Sequence, residues 1–332
     1  MSSRTFDVAA GSPATPPTRD EVARLFDDHV WGRYCADWSL PRAGARAIER
    51  DALLGLLSRP SSVVFYATAT DDPSSLVGVL VAARSEWDTD FWGIDYVSID
   101  ALHVVGGSDD VREEIAGALL DEFRGWCAAE RVRFVCTRVE TLDLAVIHAV
   151  ESRGFRYIET TLTNAVDLRT KQFSLPPGYE IRAPRPDETP LLVDMTVDAF
   201  LTHRFYADPG FPKAKVDEMY RRWVESSLES PAWTTIVLDL DGVAHGFFIY
   251  RIEDHREQVG VRITKWRMGV LGVESRASGH GVALFEGAMD HVGASSEIVD
   301  SGLSLRNLKS FNLHTKLGFR GLSFSATYHQ WL

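Results

Sequence analysis

The chain writes one succession of elements twice, and that repetition is the tightest constraint on its fold. In the second half an apolar, strand-like run, Trp266–Val273, leads through a glycine-bearing turn into a helical segment from about His280 to His291. Val282, Leu284, Phe285, Ala288, Met289 and Val292 supply the apolar positions of that helix. A strand Glu297–Ser304, a short helix Arg306–Leu317 and a Gly318-Phe319 stop follow. The first half gives strands Val63–Thr68, Leu76–Ala82 and Tyr96–Val104, then helix Asp110–Ala128, strand Val132–Thr137, helix Leu142–Ser152 and Gly154-Phe155, in matching order. A repeat of this size means two domains of one kind. Length agrees, since 332 residues is twice a common domain size, and 45% hydrophobic residues suffice for two cores.

The turn of the second half carries the chemistry. Arg276-Ala-Ser-Gly-His-Gly281 stands between a strand and a helix, so its two glycines allow close backbone approach. Free N–H groups and the positive end of the helix dipole then face whatever anion docks there, so the turn reads as a pyrophosphate cradle, the alternative being a surface turn whose glycines only relieve sterics. A P-loop would need Lys and then Ser or Thr at the helix start, where Val282-Ala283 stand instead. A dinucleotide fold would place its glycines after an early strand, with an acidic ribose ligand about 20 residues on, and no room remains for that near the C-terminus.

The succession resembles the second half of a GNAT acyltransferase. That family's Gln/Arg-x-x-Gly-x-Gly/Ala loop is matched by Arg276, Gly279 and Gly281, and its Asn, small residue and Gly-Phe closure by Asn307, Ser310 and Gly318-Phe319. The departure is His314, where the family usually carries a Tyr general acid. The resemblance implies two tandem GNAT-like domains of α/β (α+β mixed-sheet) class, each a mostly antiparallel twisted sheet flanked by helices. It implies an acyl-CoA or acetyl-CoA cosubstrate and no metal. Val270, Leu271, Gly272, Val273, Arg276, Ala277, Ser278, Gly279, His280, Gly281, Val282, Asn307, Ser310 and Phe311 are the residues it puts against coenzyme A. The resemblance also implies that Val270 to Val273, with Leu271 as the candidate, supply the N–H that polarises the thioester carbonyl, because this strand splays from its neighbour in GNAT folds. His314 falls where the acid projects toward the sulfur; the bland alternative is a polar helix residue.

Upstream, Tyr179–Glu188 resembles the family's opening strand and first helix cap, with Asp187 as the cap. Arg204-Phe-Tyr-Ala-Asp-Pro209, the helix around Tyr220 and Trp223, and Thr327–Trp331 are similar to the amino-sugar N-acetyltransferase branch, which includes enzymes acting on dTDP-fucosamine. In the first half Gly106-Gly-Ser-Asp-Asp-Val-Arg112 lacks the Arg/Gln and the spaced glycines, and Asp109, Asp110, Glu113 and Glu114 repel a polyanion. That half reads as a degenerate domain. Its Trp87–Gly93 segment resembles a Trp-Asp-Ser-x-Phe-Phe-Gly segment of the same branch, which makes it a candidate acceptor contact. Trp87, Phe91, Trp92, Ser98, Phe205 and Tyr206, with Trp233, are therefore candidates for an acceptor cleft or lipid groove, the alternative being plain core.

The expected boundaries are a flexible tail over 1–19, a degenerate domain over 20–168, a linker over 169–177 and an acyl-CoA-binding domain over 178–332, which alone should carry coenzyme binding. The tail, rich in Ser, Ala, Pro and Thr, has no apolar stretch of signal-peptide length, and no membrane span is apparent, so a cytoplasmic location is expected. Cys35, Cys127 and Cys136 have no metal-ligand spacing and read as buried inert thiols of a reducing compartment. A formal net charge of −12 argues against broad nucleic-acid binding and fits solubility or attraction of an amine-bearing acceptor.

Direct acyl transfer needs a neutral amine, a polarised thioester carbonyl and a proton for the departing thiolate. His203, on a polar loop in the region where the family builds its acceptor pocket, is the candidate base, with an ordinary imidazole pKa suited to an ammonium at neutral pH. His245 is its alternate, and His280 matters through its backbone. The expected function is acyl transfer, including long-chain acyl, to the amine of an amino sugar. The layout resembles tandem enzymes acylating glucosamine on glycopeptide antibiotics of the teicoplanin type. The alternatives are N-acetylation of a nucleotide-linked amino sugar and a non-enzymatic acyl-CoA sensor.

Overall fold

The computed structural model describes residues 6–11, 17, 18, 20–22, 25, 34, 39–276 and 278–332. Ala277 and Cys35 lie outside the described residues. The chain divides into two compact units, Met1–Thr160 with Ser323–Leu332, and Thr161–Leu322.

The first unit starts with β1 (Phe6–Gly11), in the segment expected as tail. Phe6 is buried and Asp7 exposed; this alternation lets the short strand cover one face while it pairs antiparallel with β2 (Ser62–Ala69). α1 (Arg42–Ser58) precedes β2, and β3 (Leu76–Arg84), α2 (Glu86–Trp92), β4 (Tyr96–Val104), α3 (Asp109–Ala129), β5 (Phe134–Glu140) and α4 (Leu144–Ser152) follow. The strand order is β1-β2-β3-β4-β5, antiparallel except for the parallel pair β4/β5. Next to β5 comes a strand from the far end of the sequence: Ser325–Trp331 of β12 (Arg320–Trp331) pairs antiparallel with it. Ile115, Leu119, Phe123, Val135, Val146 and Val150 sit in its main core cluster.

The second unit takes a strand from the first half of the sequence in the same way. Residues 161–167 of β6 (Arg156–Asp167) pair antiparallel with β11 (Ile298–Ser304). Between them come β7 (Tyr179–Arg182), α5 (Thr189–Asp194), α6 (Arg204–Ala207), α7 (Lys213–Glu229), β8 (Thr234–Leu240), β9 (Val243–His255), α8 (Arg256–Val259), β10 (Val261–Leu271) and α9 (His280–Gly293); α10 (Leu308–Lys316) follows β11. The order is β6-β11-β10-β9-β8-β7, with only β10/β11 parallel. Phe248, Leu284, Ala288, Met289, Val299, Leu317 and Phe319 form its core, with Trp266 and Phe285 packed on it.

The helices and strands read from the sequence stand within a few residues of their expected places. The division between units does not: it falls inside β6, and the last ten residues belong to the first unit, because β6 and β12 each find their neighbour in the other half's sheet. Glu188, not Asp187, takes the N-cap position of α5. Arg182 grips the Glu188 carboxylate at 2.6 and 2.7 Å and holds its pKa down to about 2, while Arg185 N–H donates to it as well. Cys127 and Cys136 are free and buried, and burial pushes the Cys127 thiol up to about 12. Among the described residues no helix is long and apolar enough to cross a membrane, and no group of His, Cys, Asp and Glu is arranged to hold a metal ion.

Candidate active site

The site of the second unit begins with a strand that leaves its neighbour. β10 pairs in parallel with β11 only from Ile263↔Ile298 to Trp266↔Ser301, yet continues along β9 to Leu271↔Gly246. A bulge at Arg267, between Trp266↔Tyr250 and Met268↔Ile249, turns the strand at the point of separation. Gly272 N–H donates to His245 C=O at 3.0 Å, which fixes the alternation of the ladder. The N–H groups of Gly269 and Leu271 therefore face away from β9, into the gap. The Leu271 carbonyl faces that way too, accepting from Arg276 Nε at 3.1 Å.

A cavity of about 170 Å³ fills the opening. Trp266–Gly269 of β10 and Ser301–Ser304 of β11 are its sides. One wall, from α9 and α10, is aromatic: Phe285 meets Trp266 at 5.2 Å between ring centres and His314 at 5.0 Å. The other wall comes from Ala199, Phe200, Thr202, His203 and α7, where Phe200 stacks on Tyr220 at 4.3 Å and His203 stands edge-on to Tyr220 at 5.7 Å.

Of the expected residues, the cavity brings together His203, Asn307, Ser310 and His314. His203 is the N-cap residue of α6, its N–H donating to Phe200 C=O at 2.9 Å. His314 is buried, and burial lowers its pKa to about 4 against a smaller opposing contribution from the Ser310 carbonyl. That carbonyl lies 2.8 Å from Nδ1 and can only accept, so Nδ1 carries the ring proton. Nε2, 3.0 Å from Ser301 Oγ, is then an acceptor for the Ser301 hydroxyl. The imidazole is neutral and has no proton to offer the cavity at neutral pH; it holds Ser301 in place. Asn307 is the N-cap of α10, its Oδ1 accepting from Ser310 N–H at 3.1 Å, which is a structural reason for the Asn-x-x-Ser spacing.

The cradle lies at the start of α9. Gly279, its N-cap, has φ +81° and offers no side chain to the first-turn N–H groups. A Cβ on Gly281 would meet nothing nearer than 3.5 Å, and Ser278 is exposed. The helix start is therefore open and uncapped, which fits the diphosphate of coenzyme A. Val270 is buried, while Val273, in a short 3₁₀ turn, is exposed and Gly272 and Val282 are half-buried around the cradle.

The remaining candidates fall elsewhere. The Arg276 guanidinium bonds the carbonyls of Leu271, Met195 and Val197, so it braces the loop and is not directed at a phosphate. His280 Nδ1 lies 2.9 Å from Tyr179 OH, and its ring stacks on His245 at 4.3 Å. Burial, then the neighbouring His245 charge, lowers the His280 pKa. His245, bonded to Ser275 Oγ at 3.0 Å, thus belongs beside the cradle and does not line the cavity. Phe205 is 1% exposed and packs on Phe211 at 5.0 Å: it is core, and no acceptor can touch it. Tyr206 donates to Asp217, and Phe311 is half-buried; neither lines the cavity. Trp87, Phe91, Trp92 and Ser98 belong to the first unit, where Trp87 stacks on Phe91 at 5.3 Å and Phe91 and Trp92 are buried. Ser301, Trp266 and Arg267 are site residues that the pattern of motifs passes over. The signal for Ser301 lay in the strand preceding the Asn-x-x-Ser helix; the bulge that turns Arg267 inward is visible only in the folded sheet.

No family model matches the chain. The protein is 21% identical over 261 residues to the spore coat polysaccharide biosynthesis protein SpsD of Bacillus subtilis, a match covering 78% of this chain and 85% of that one. Among solved structures it is similar to a tandem GNAT protein from the clavulanic acid biosynthesis pathway, with a TM-score of 0.57 at 15% identity, covering 98% of each chain. A GCN5-related N-acetyltransferase from Sphaerobacter thermophilus gives 0.62 at 14% identity, covering 98% of this chain and 96% of that one. The glucosamine N-acetyltransferase region of a fungal multi-domain GH3 β-N-acetylglucosaminidase gives 0.60 at 15% identity, covering 99% of this chain and 38% of that one. The splayed strand, the glycine cradle and these likenesses agree: the protein has the tandem GNAT fold.

Proposed function

We propose that the protein is a coenzyme A-dependent N-acyltransferase that delivers an acetyl or other short acyl group to the amine of an amino sugar. The observation that carries this reading is the cavity where β10 leaves β11, with an open helix start on one side of the separation and His203 on the opposite wall. The bound coenzyme supplies the activated acyl group and the thiol leaving group. α9 holds the diphosphate through its first-turn N–H groups, and the Leu271 N–H, aimed into the gap, stabilises negative charge on the carbonyl oxygen. His203 accepts the proton that the amine sheds as its nitrogen bonds to carbon; the carbon–sulfur bond breaks, and the coenzyme leaves as a thiolate that takes its proton from solvent. His314 keeps Ser301 and the aromatic wall fixed, so the reacting carbon is held in a dry, shaped space.

Likeness to a protein named for polysaccharide biosynthesis and to a glucosamine N-acetyltransferase region supports an amino sugar. Both favour an amino sugar of polysaccharide metabolism over a glycopeptide scaffold.

The test is thiol release from acetyl-CoA on addition of amino sugars, with mass spectrometry of the product. Coenzyme binding without thiol release for any amine would overturn the enzyme reading in favour of a sensor. With activity in hand, His203→Ala should lower turnover about 10²–10⁴-fold at pH 7 and leave coenzyme affinity intact. The deficit should shrink as pH rises and the acceptor deprotonates unaided. A deficit flat with pH would mean that His203 only orients the acceptor.

A further inference from the structure

The cations of β10 are not alike. Lys265 Nζ is 2.5 Å from Asp300, and Arg262 pairs with Glu297 at 3.4 Å. Arg267, the bulge residue that lines the cavity, has no hydrogen bond or ion pair among the described residues, and its Nε is buried without an acceptor. Two indole rings lie against it. Cζ lies 4.5 Å from the ring centre of Trp233 and 5.0 Å from that of Trp223, and Arg251, itself paired with Glu253, stands 5.0 Å from Trp233. Indole rings attract a cation over their faces but leave the in-plane N–H groups of a guanidinium unsatisfied. Burial and the nearby Arg251 charge both work against the cation here, which an anion would relieve.

We propose that Arg267 is an oxyanion receptor beside the acceptor wall, and that the amine acceptor carries a carboxylate or phosphate which this guanidinium grips. The inference rests on the reading of the cavity as the transfer site. A planar fork that has no acceptor of its own matches the two oxygens of a carboxylate or phosphate. A buried donor left without a partner in the free protein is the usual mark of a ligand or water that completes it. The wall also argues against a coenzyme phosphate. Arg267 packs on Trp223 of α7, which shares its wall with His203, and the cradle opens at α9.

Three probe acceptors separate the possibilities: glucosamine, glucosamine 6-phosphate and 2-amino-2-deoxyglucuronate. With the full chain and acetyl-CoA, at least one anionic acceptor should show a kcat/KM about 10- to 100-fold above glucosamine, mostly through KM, the size expected for charge-assisted hydrogen bonds. The better of the two identifies phosphate or carboxylate as the natural group. Arg267→Gln should erase the preference, and Arg267→Lys, which keeps charge but not the fork, should retain part of it. Quenching of tryptophan fluorescence by the same probes gives a readout independent of turnover, and coenzyme affinity of each variant verifies folding. Turnover of glucosamine with no preference for either anion overturns the proposal and leaves the transferase reading standing. Arg267-dependent quenching by an anionic probe without turnover of any acceptor supports the anion site and sinks the transferase reading. Neither turnover nor quenching overturns both.

Discussion

Leu144–Ser152 and Leu308–Lys316 are one helix built twice, and what differs between their surroundings separates a filled core from a site. The strands before them, Phe134–Glu140 and Ile298–Ser304, are equal in length, as are those after, Arg156–Asp167 and Arg320–Trp331, and the sequence offset is constant throughout. By that register Asp143 corresponds to Asn307, Val146 to Ser310, Val150 to His314 and Thr137 to Ser301. Both units also part the same strands: β4 pairs with β5 only to Ile99↔Thr137, as β10 pairs with β11 only to Trp266↔Ser301. In the first unit Thr137 donates to Ile99 C=O at 3.4 Å, and Val104, Ile115, Val146 and Val150 share one apolar cluster. In the second, Ser301 turns to His314 and a cavity remains. The helix starts diverge likewise. Asp109 and Asp110 open α3, and Arg112 ties Asp143 across to it, whereas α9 opens on Gly279 with no acidic first turn. A GNAT-like backbone is thus compatible with either outcome, and a handful of side chains decides it.

The largest effect should come from cutting the chain. Residues 178–332, the fragment expected from sequence to bind coenzyme A, lack the 161–167 segment that borders β11 and keep a C-terminal strand whose partner β5 is gone. An unpaired inner edge and an orphan strand favour aggregation. Residues 161–322 restore the unit as it stands in the structure. Cooperative thermal unfolding and coenzyme binding are expected for 161–322, and neither for 178–332. Equal behaviour of the two fragments would break the exchange of strands as an account of the fold.

Next in size is a matched pair of glycine substitutions. Gly279 and Gly106 have φ of +81° and +84°, and a Cβ on either would meet nothing within 4 Å, so Asp costs similar backbone strain in both units. Gly279→Asp puts a carboxylate at an anion cradle and should weaken coenzyme A binding by at least about 100-fold in calorimetry, as charge repulsion adds to blockage. Gly106→Asp joins helix-start acids already present and should leave the affinity unchanged. A loss of affinity in Gly106→Asp would show that the first unit also holds coenzyme.

The repeated helices and strands were legible because their apolar periodicity is local. The cradle was legible too, since glycines at a strand–helix junction restrict what the backbone can present. Partner choice was not: β6 and β12 have the same length, and nothing within either strand states which sheet it completes. Phe6–Gly11 hid in a tail of small residues, where only Phe6 and Val8 mark an inward face. Phe205 looked like an acceptor contact because an aromatic on a polar loop cannot reveal from sequence that Phe211 covers it. Arg267 shows the converse, a charged strand residue that acquires meaning once a bulge and two tryptophans surround it.

The smallest expected effect concerns His314, and exchanging it for its counterpart tests the comparison at one position. Its folded-state pKa, about 4, lies below the ordinary imidazole value of 6.5. Between these values the unfolded chain binds a proton that the folded one refuses. This contribution favours folding least at low pH: it is whole above pH 6.5 and is lost as pH falls toward 4. From pH 7 to 5.5 the loss through this group is about 1 kcal/mol. His314→Val installs the residue at position 150 and should remove that portion of the acid sensitivity, measured as the change in urea-unfolding free energy between the two pH values. Stability at pH 7 is a separate matter, because Val also leaves the Ser301 hydroxyl and the Ser310 carbonyl without their imidazole partner. If the pH dependence of His314→Val matches that of the wild type, His314 is solvated in solution, and the contrast between a sealed core and a site with a fixed neutral histidine fails at this position.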